Sequence, residues 1–490
     1  MKILKIIASE REIAIFTDEP IPIGSSVKCY SPSLDEKIEI ASIEYESLSI
    51  NNGYRFPRIN QSDLLYCRFE VVTPDLAVIN GKKYVEKITG AERSHDYPAA
   101  ETKKGLQVVM VKDAIELGVK HAALNVNQGD FLLLNPIPDN TLEFEFNGKI
   151  YYFNKKIVED NDIRVKELSD FGVIITYIVL NSKKWATKVS DELWDIIKHP
   201  AYSGQKDGQG LISEFNVVTN AGIEYYTAFI AFLADRYTRE DQKYGRAVGL
   251  IIGNEVNTGY TWCNSGDMTC SEYCRHYNKA LRLAFQASCN YYANMRIYIS
   301  LDHFWTGRNC DGNPNRFYPA KEVLENINSE CLSEGQIPWN VAHHPYPEDL
   351  RFPDFWNDKT VSHDFDTYRI TFENLEILAE FLYSEEMLCD GERRRIILSE
   401  QGFNSNWTPE SEILQAVAYG RAYKKIMQIP EIDSFILHAH CDNRYEFGLN
   451  LGLWRRQKDS QEMEAPKPVY HVFKAIDKKD EKGVYHWERY

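Results

Sequence analysis

A closed (β/α)8 barrel preceded by a smaller antiparallel β-sandwich is the fold the sequence predicts, on three observations. Apolar runs such as VGLIIG (Val248 to Gly253) and RIILS (Arg395 to Ser399) end abruptly in polar residues. Strands buried on both faces read as continuous hydrophobic segments, and a barrel carries its chemistry where they end. Stretches with helical spacing separate these runs, as in IEYYTAFIAFLADRY (Ile223 to Tyr237), and repeated strand-then-helix units imply a parallel sheet. Residues 1 to 98 have a different texture, with short β-rich runs (EIAIFT, SVKCYS, LLYCRFEVV) punctuated by Pro, Gly, Asn and Asp, the rhythm of an antiparallel sandwich.

The polar, weakly patterned segment Gly90 to Gly105 marks the boundary, so a barrel domain is expected over residues 99–490. Its first strand is predicted at HAALNVN (His121 to Asn127), with Asn125 and Asn127 at the mouth. TLEFEFNGKIYYFN (Thr141 to Asn154) alternates about Asn147-Gly148, a strong hairpin signal. Placed after a first strand, this insertion is expected to wall off one end of a cleft. Strand two is predicted at Phe171 to Leu180, a weak strand three near Ile212 to Val217, and strand four at Val248 to Asn257. Strands five to eight follow at Met295 to Trp305, Trp339 to Pro347, Arg395 to Glu400 and Asp433 to Asn443.

Composition narrows the function classes. A net charge of −16 disfavours nucleic acid and anionic membranes as partners. No run of 18 apolar residues suits a membrane span, and the start MKILKIIASERE is too short in apolar residues for a signal peptide, so a cytoplasmic location is expected. The 10 cysteines are scattered and read as free thiols. Cys263, Cys270 and Cys274, with His276, form the one cluster, without a regular zinc spacing. Aromatics reach 13%, including 30 Tyr and 9 Trp, enough to leave some for stacking on sugar rings.

Glu255 and Glu400 are the chemical core of the prediction. Two carboxyl groups at the ends of two buried strands are the minimum equipment for cleaving a glycosidic bond, one as acid/base and one as nucleophile. An acid must hold its proton near neutral pH, which a desolvated pocket arranges, whereas a nucleophile needs donors that keep it ionised. Asn254 can hold a sugar hydroxyl, and Tyr346 is the candidate donor to Glu400. Trp262, Trp305, Trp407 and Trp454 fall in loops on the same face and are candidate sugar platforms. Asn404, Asn406 and Glu446 are weaker candidates for hydroxyl contacts. No phosphate-binding loop, nucleotide fingerprint or nucleophile elbow is present, and no cofactor is required.

Asn254-Glu255 ending a fourth strand, His344-x-Tyr346 ending a sixth and Glu400 ending a seventh resemble the clan of retaining (β/α)8 glycoside hydrolases that includes cellulases, β-mannanases and β-galactosidases. The resemblance implies Glu255 as acid/base, Glu400 as nucleophile, Asn254 as partner of the sugar 2-hydroxyl and Tyr346 as donor to the nucleophile. FLADRY before strand four, GNEVN, and DNRYEFGLNLGLW (Asp442 to Trp454) resemble a branch of unassigned function with a β-rich N-terminal region. The sequence departs from the clan at strand two, which offers no Arg, and at strand eight, where His438, His440 and Asp442 stand in place of a Trp. Carbohydrate, β-linked and in oligomeric or polymeric form, is the expected partner. Two other readings use the same strand ends. Asp302, His303, His343, His344, His438 and His440 would serve as ligands in a metal-dependent barrel hydrolase; the aromatics alone would serve a non-catalytic sugar-binding barrel.

Overall fold

The computed structural model describes residues 1–35, 37–45, 53–186, 189–205, 208–309 and 313–479. Eight parallel strands close a barrel: Lys104–Gln107, His121–Asn127, Ile174–Leu180, Ala247–Ile252, Arg296–Leu301, Trp339–His343, Ile396–Gln401 and Ile432–Leu437. The first pairs with the eighth, Leu106 beside Leu437, which completes the ring. Side chains alternate across each strand, and those turned inward fill the interior, among them Ala123, Ile178, Ile251, Tyr298, Ala342, Ile397 and Ile436. The large Tyr298 sits among the small Ala123 and Ala342, so the lumen is packed rather than open. A helix follows each strand, and the apolar face of Asn220–Tyr237 is buried against the outer wall.

The first strands fall in a different order from the one expected. Lys104–Gln107 is barrel strand one, beginning in the last two residues of the segment read as a boundary; His121–Asn127 is strand two and Ile174–Leu180 strand three. Strand one is only four residues long, and a Cβ on its Gly105 would lie 2.7 Å from Ile436 Cγ1 and 3.0 Å from the Cβ of His121. Close packing of neighbouring strands demands glycine there, and that removes the apolar run by which a strand is recognised. The stretch 212–217 forms no barrel strand; it makes isolated bridges to Lys198 and Asn264. From strand four onward the predicted and observed positions coincide.

Separate β-sheets precede the barrel. Lys2–Ala8 pairs antiparallel with Glu12–Thr17, which pairs with Gly53–Pro57; short strands at Asn80–Gly81 and Lys87–Ile88 run parallel to Lys2–Ala8. Ser26–Tyr30 lies between Glu39–Glu44 and Arg68–Val72 in a second, antiparallel sheet. Phe56 of the first sheet meets Phe69 of the second at 5.9 Å.

The hairpin forms as predicted, Thr141–Phe146 pairing with Lys149–Asn154 through positive φ at Asn147 and Gly148. It does not wall the cleft. Phe153 stacks on Phe232 at 3.8 Å, Tyr151 meets Tyr225 edge-on, and Phe146 reaches Tyr66 of the N-terminal region. Its aromatic face is satisfied by the outer helix Asn220–Tyr237, which turns the insertion away from the strand ends.

After strand eight the chain runs through DNRYEFGLNLGLW before the helix Pro468–Ala475, the last among the described residues. Lys467, just before that helix, holds the segment: its Nζ donates to Asp442 Oδ1 at 2.8 Å and to the Asn450 carbonyl at 3.2 Å, with both ionic groups essentially buried. Burial raises the Asp442 pKa and lowers that of Lys467, so each ion depends on the other. Lys467→Met is therefore expected to lower stability by about 3–5 kcal/mol by leaving a buried charge unpaired. Urea unfolding measures this, and adding Asp442→Asn should recover most of the loss.

Candidate active site

The strand-four segment ends in Gly253, at φ +74°, and Glu255, whose φ of 38° and ψ of 57° lie in the left-handed region. Non-glycine residues rarely occupy that region, and where they do the surroundings hold them there. Here the Glu255 amide donates to Ser300 Oγ at 2.9 Å, and its carboxyl meets His344 Nδ1 at 3.0 Å. The other nitrogen of His344, Nε2, is 3.0 Å from Ser399 Oγ. His344 thus spans from strand four to strand seven. In strand seven a register shift between Leu398 and Gln401 accompanies the presentation of Glu400.

Glu255 and Glu400 converge. One carboxylate oxygen of each, together with a ring nitrogen of His344, lie within 4.8 Å of one another. They stand in a cleft of about 1020 Å³ at the carboxyl ends of the strands, and Asn125, Asn254, Trp262, His303, Tyr346 and His438 also line it. The side chains of Asn125 and Asn254 make no hydrogen bond among the described residues and are free for a ligand.

The two carboxyl groups are driven in opposite directions. Burial pushes Glu255 up to about 7, aided by the negative charges of Asp302 and Glu400 and opposed by His344. Burial acts on Glu400 in the same sense, but His438 and His344, with hydrogen bonds from Gln107 and Tyr346, bring it below its ordinary value. Those bonds are Gln107 Nε2 to Oε2 at 3.2 Å and Tyr346 OH to Oε1 at 3.3 Å. Burial would neutralise His438, yet Glu400 and then Glu446 raise it to about 9. His438 Nδ1 lies 2.7 Å from Gln107 Oε1, and its Nε2 forms a 3.3 Å ion pair with Glu446 whose hydrogen-bond alignment is poor. His303 stays neutral: burial lowers its pKa, and donation from Nδ1 to the Tyr346 carbonyl at 2.9 Å leaves Nε2 as an acceptor.

Other predicted residues lie outside the cleft lining. Asn127 clamps the Ser182 backbone with two 2.9 Å bonds. Trp305 is core, 1% exposed, its indole donating to the Phe365 carbonyl. Trp454 donates to Asp113, which also binds His440, and Asp442 is spent on Lys467. Trp407 lies under Arg456, and Asn404 and Asn406 bond each other. His344 works behind the cleft wall rather than in it.

The metal reading fares poorly on donor geometry. His343 is committed to the Ile370 carbonyl, His440 to Asp113, and Asp302 accepts from Asn257, Thr258 and the Phe304 amide. Among the described residues the one convergent group is Glu255, His344 and Glu400. A cation there would displace His344 from Glu255 or from Ser399. Cys270 and Cys274 are 3.9 Å apart on one helix, while His276 pairs with His199.

Sequence reasoning missed Gln107, which follows the segment read as a boundary in a strand too short to show a pattern, and underrated Glu446. It also passed over Trp185 and Phe447, which flank Trp262 at 6.4 and 6.1 Å and extend an aromatic wall along the cleft.

Residues 96–487 match the family model described as a family of unknown function, DUF5722. The chain belongs to this family. No curated protein matches it. Among solved structures, the chain is similar to a β-glucosidase from Pyrococcus furiosus, at 14% identity and a TM-score of 0.47, over 74% of this chain and 82% of that one. It is also similar to a family 39 glycoside hydrolase from Bacteroides cellulosilyticus, at 12% identity and a TM-score of 0.46, over 96% and 81% of the two chains. A family 1 β-glucosidase from Thermotoga maritima matches at 11% identity and a TM-score of 0.45, over 75% and 84%.

The raised Glu255 pKa fixes a pH dependence for this DUF5722 member. At Glu255 the folded state holds a proton that the unfolded state has lost between the ordinary value of 4.5 and about 7. The contribution of this group to stability therefore falls as pH rises through that window. Glu255→Gln should unfold at a higher temperature than the parent at about pH 8, with the advantage shrinking as pH falls toward about 4; thermal unfolding at several pH values reads it.

Proposed function

We propose that this protein is a retaining glycoside hydrolase acting on O-glycosidic, β-linked bonds of an oligosaccharide or polysaccharide. The observation that carries the reading is the pair of strand-end carboxyl groups with oxygens within 4.8 Å and opposed pKa shifts. Double displacement uses carboxyl groups about 5 to 5.5 Å apart, whereas inversion needs roughly 6.5 to 9.5 Å to admit a water.

In this reading Glu400, kept ionised by His438, Gln107 and Tyr346, attacks the anomeric carbon. Glu255, which holds a proton up to about pH 7, gives it to the departing oxygen. The covalent glycosyl–Glu400 ester is then released by water, which Glu255 deprotonates, and both carboxyl groups return to their starting states. Asn254 faces the sugar as a neutral hydroxyl partner, and Trp262 with Trp185 offers stacking surfaces. His344 acts as a positioning residue.

Activated aryl β-glycosides, with the first-formed anomer read by NMR, test the proposal. The retained anomer is expected, and Glu400→Gln should reduce turnover to background while the protein stays folded. Glu255→Gln should cost about 10²- to 10⁴-fold on unactivated substrates and less on aryl glycosides with good leaving groups. The parent should show a bell-shaped kcat/KM profile whose alkaline limb, near the Glu255 value of about 7, disappears in Glu255→Gln. An inverted first product, or full activity in Glu400→Gln, would refute the assignment.

A further inference from the structure

A second chamber of about 380 Å³ opens beside the cleft, sharing Gln107, Asn125, His438, Asn443, Tyr445 and Glu446 with it. Arg164, from the helix Lys155–Asp170, forms part of its wall. The Nη2 of Arg164 donates to the Val108 carbonyl, and among the described residues the guanidinium has no other hydrogen bond and no salt bridge. Burial lowers its pKa, and among the described residues no carboxylate offsets the cost. Arg58 grips Asp63 and Arg236 grips Asp162, each through two nitrogens, while the buried Arg282 and Arg394 donate to backbone carbonyls instead. Arg164 keeps Nε and Nη1 unclaimed.

Among the described residues the chamber lining contains a single carboxylate, Glu446, already committed to His438. In a chain of net charge −16, a pocket where an unpaired guanidinium and an imidazolium outweigh one carboxylate is an exception that bulk composition does not produce. Gln107 links the two spaces, since its Nε2 lies 3.2 Å from Glu400 and its side chain borders the chamber. A group projecting from a sugar held at the glutamate pair would enter there.

We infer that the chamber receives an anionic substituent, a carboxylate or a sulfate ester, carried by the sugar bound over Glu400, with Arg164 as its specificity-determining partner. A planar guanidinium with free donors matches either oxyanion, and such charge-assisted bonds are the strong ones. The inference rests on the glycosidase reading for its placement of the sugar, but binding tests it without turnover.

Titration calorimetry of the parent protein with hexuronic acids, hexose 6-sulfates and the corresponding neutral hexoses separates the possibilities. One acidic series should bind about 10- to 100-fold tighter than its neutral counterpart, the range expected of one charge-assisted interaction, and added salt should erode the gap. The series showing the gap tells carboxylate from sulfate. Arg164→Gln should abolish the gap without altering neutral-sugar binding, and Arg164→Lys should restore part of it; thermal unfolding of both variants verifies folding. Equal binding of neutral and acidic sugars, a gap that survives Arg164→Gln, or no binding of either acidic series overturns the inference. Should aryl glycosides stay intact while the gap persists, the hydrolytic reading fails and this one stands. Should neutral aryl glycosides be cleaved with no gap, the reverse holds.

Discussion

Withdrawal of the Glu255 and Glu400 carboxyl groups from water is the constraint on which the rest of the site depends, because it acts on both in the same direction and leaves the neighbours to set them apart. Desolvation alone would protonate each. Glu255 has Asp302 and Glu400 beside it, so like charge reinforces burial; Glu400 has His438 and His344, so opposite charge overcomes it. Each unit of separation between the two pKa values is worth about 1.4 kcal/mol of differential interaction. That such a difference arises between groups within 4.8 Å requires fixed neighbours, and His344, bonded at both ring nitrogens, is one of them.

The cation that keeps Glu400 ionised has its own supports. His438 is charged because Glu400 and Glu446 both face it, and Gln107 bridges it to Glu400. Glu446 belongs to the segment between Asp442 and Trp454, and that segment is anchored by Lys467 in a buried ion pair. The electrostatics of the cleft can thus be traced outward, through three layers of side chains, to a lysine next to the last helix. Ion pairs of this kind are weak contributors to net stability but costly to break on one side, which suits a part whose task is to hold a loop in one place.

Much of this could be read in the chain before folding. Strands four to eight declared themselves as long apolar runs, and Glu255, Glu400, Asn254, Tyr346 and His303 reach the cleft they were assigned to. Strand one did not declare itself: Gly105 carries no side chain because two neighbouring strands leave it no room, and four residues are too few for a pattern. Gln107 was lost with it. The tryptophans were misjudged for a different reason. Trp305 and Trp454 sit in the right loops, yet their indoles point to protein acceptors, the Phe365 carbonyl and Asp113, and sequence position cannot distinguish a ring facing a cleft from one facing the core. Arg164 illustrates the same limit, since only the folded structure reveals that this helix arginine has no counter-ion among the described residues.

The hairpin at Thr141–Asn154 has a role beyond its own stability. Phe146 faces Tyr66 on one side while Phe144 and Phe153 cover Phe232 on the other, so the insertion fills the seam between the N-terminal sheets and the barrel as mortar fills a joint. A barrel excised without it would present a bare strip of aromatic rings along one outer helix, and such a fragment would self-associate before its chemistry could be assayed.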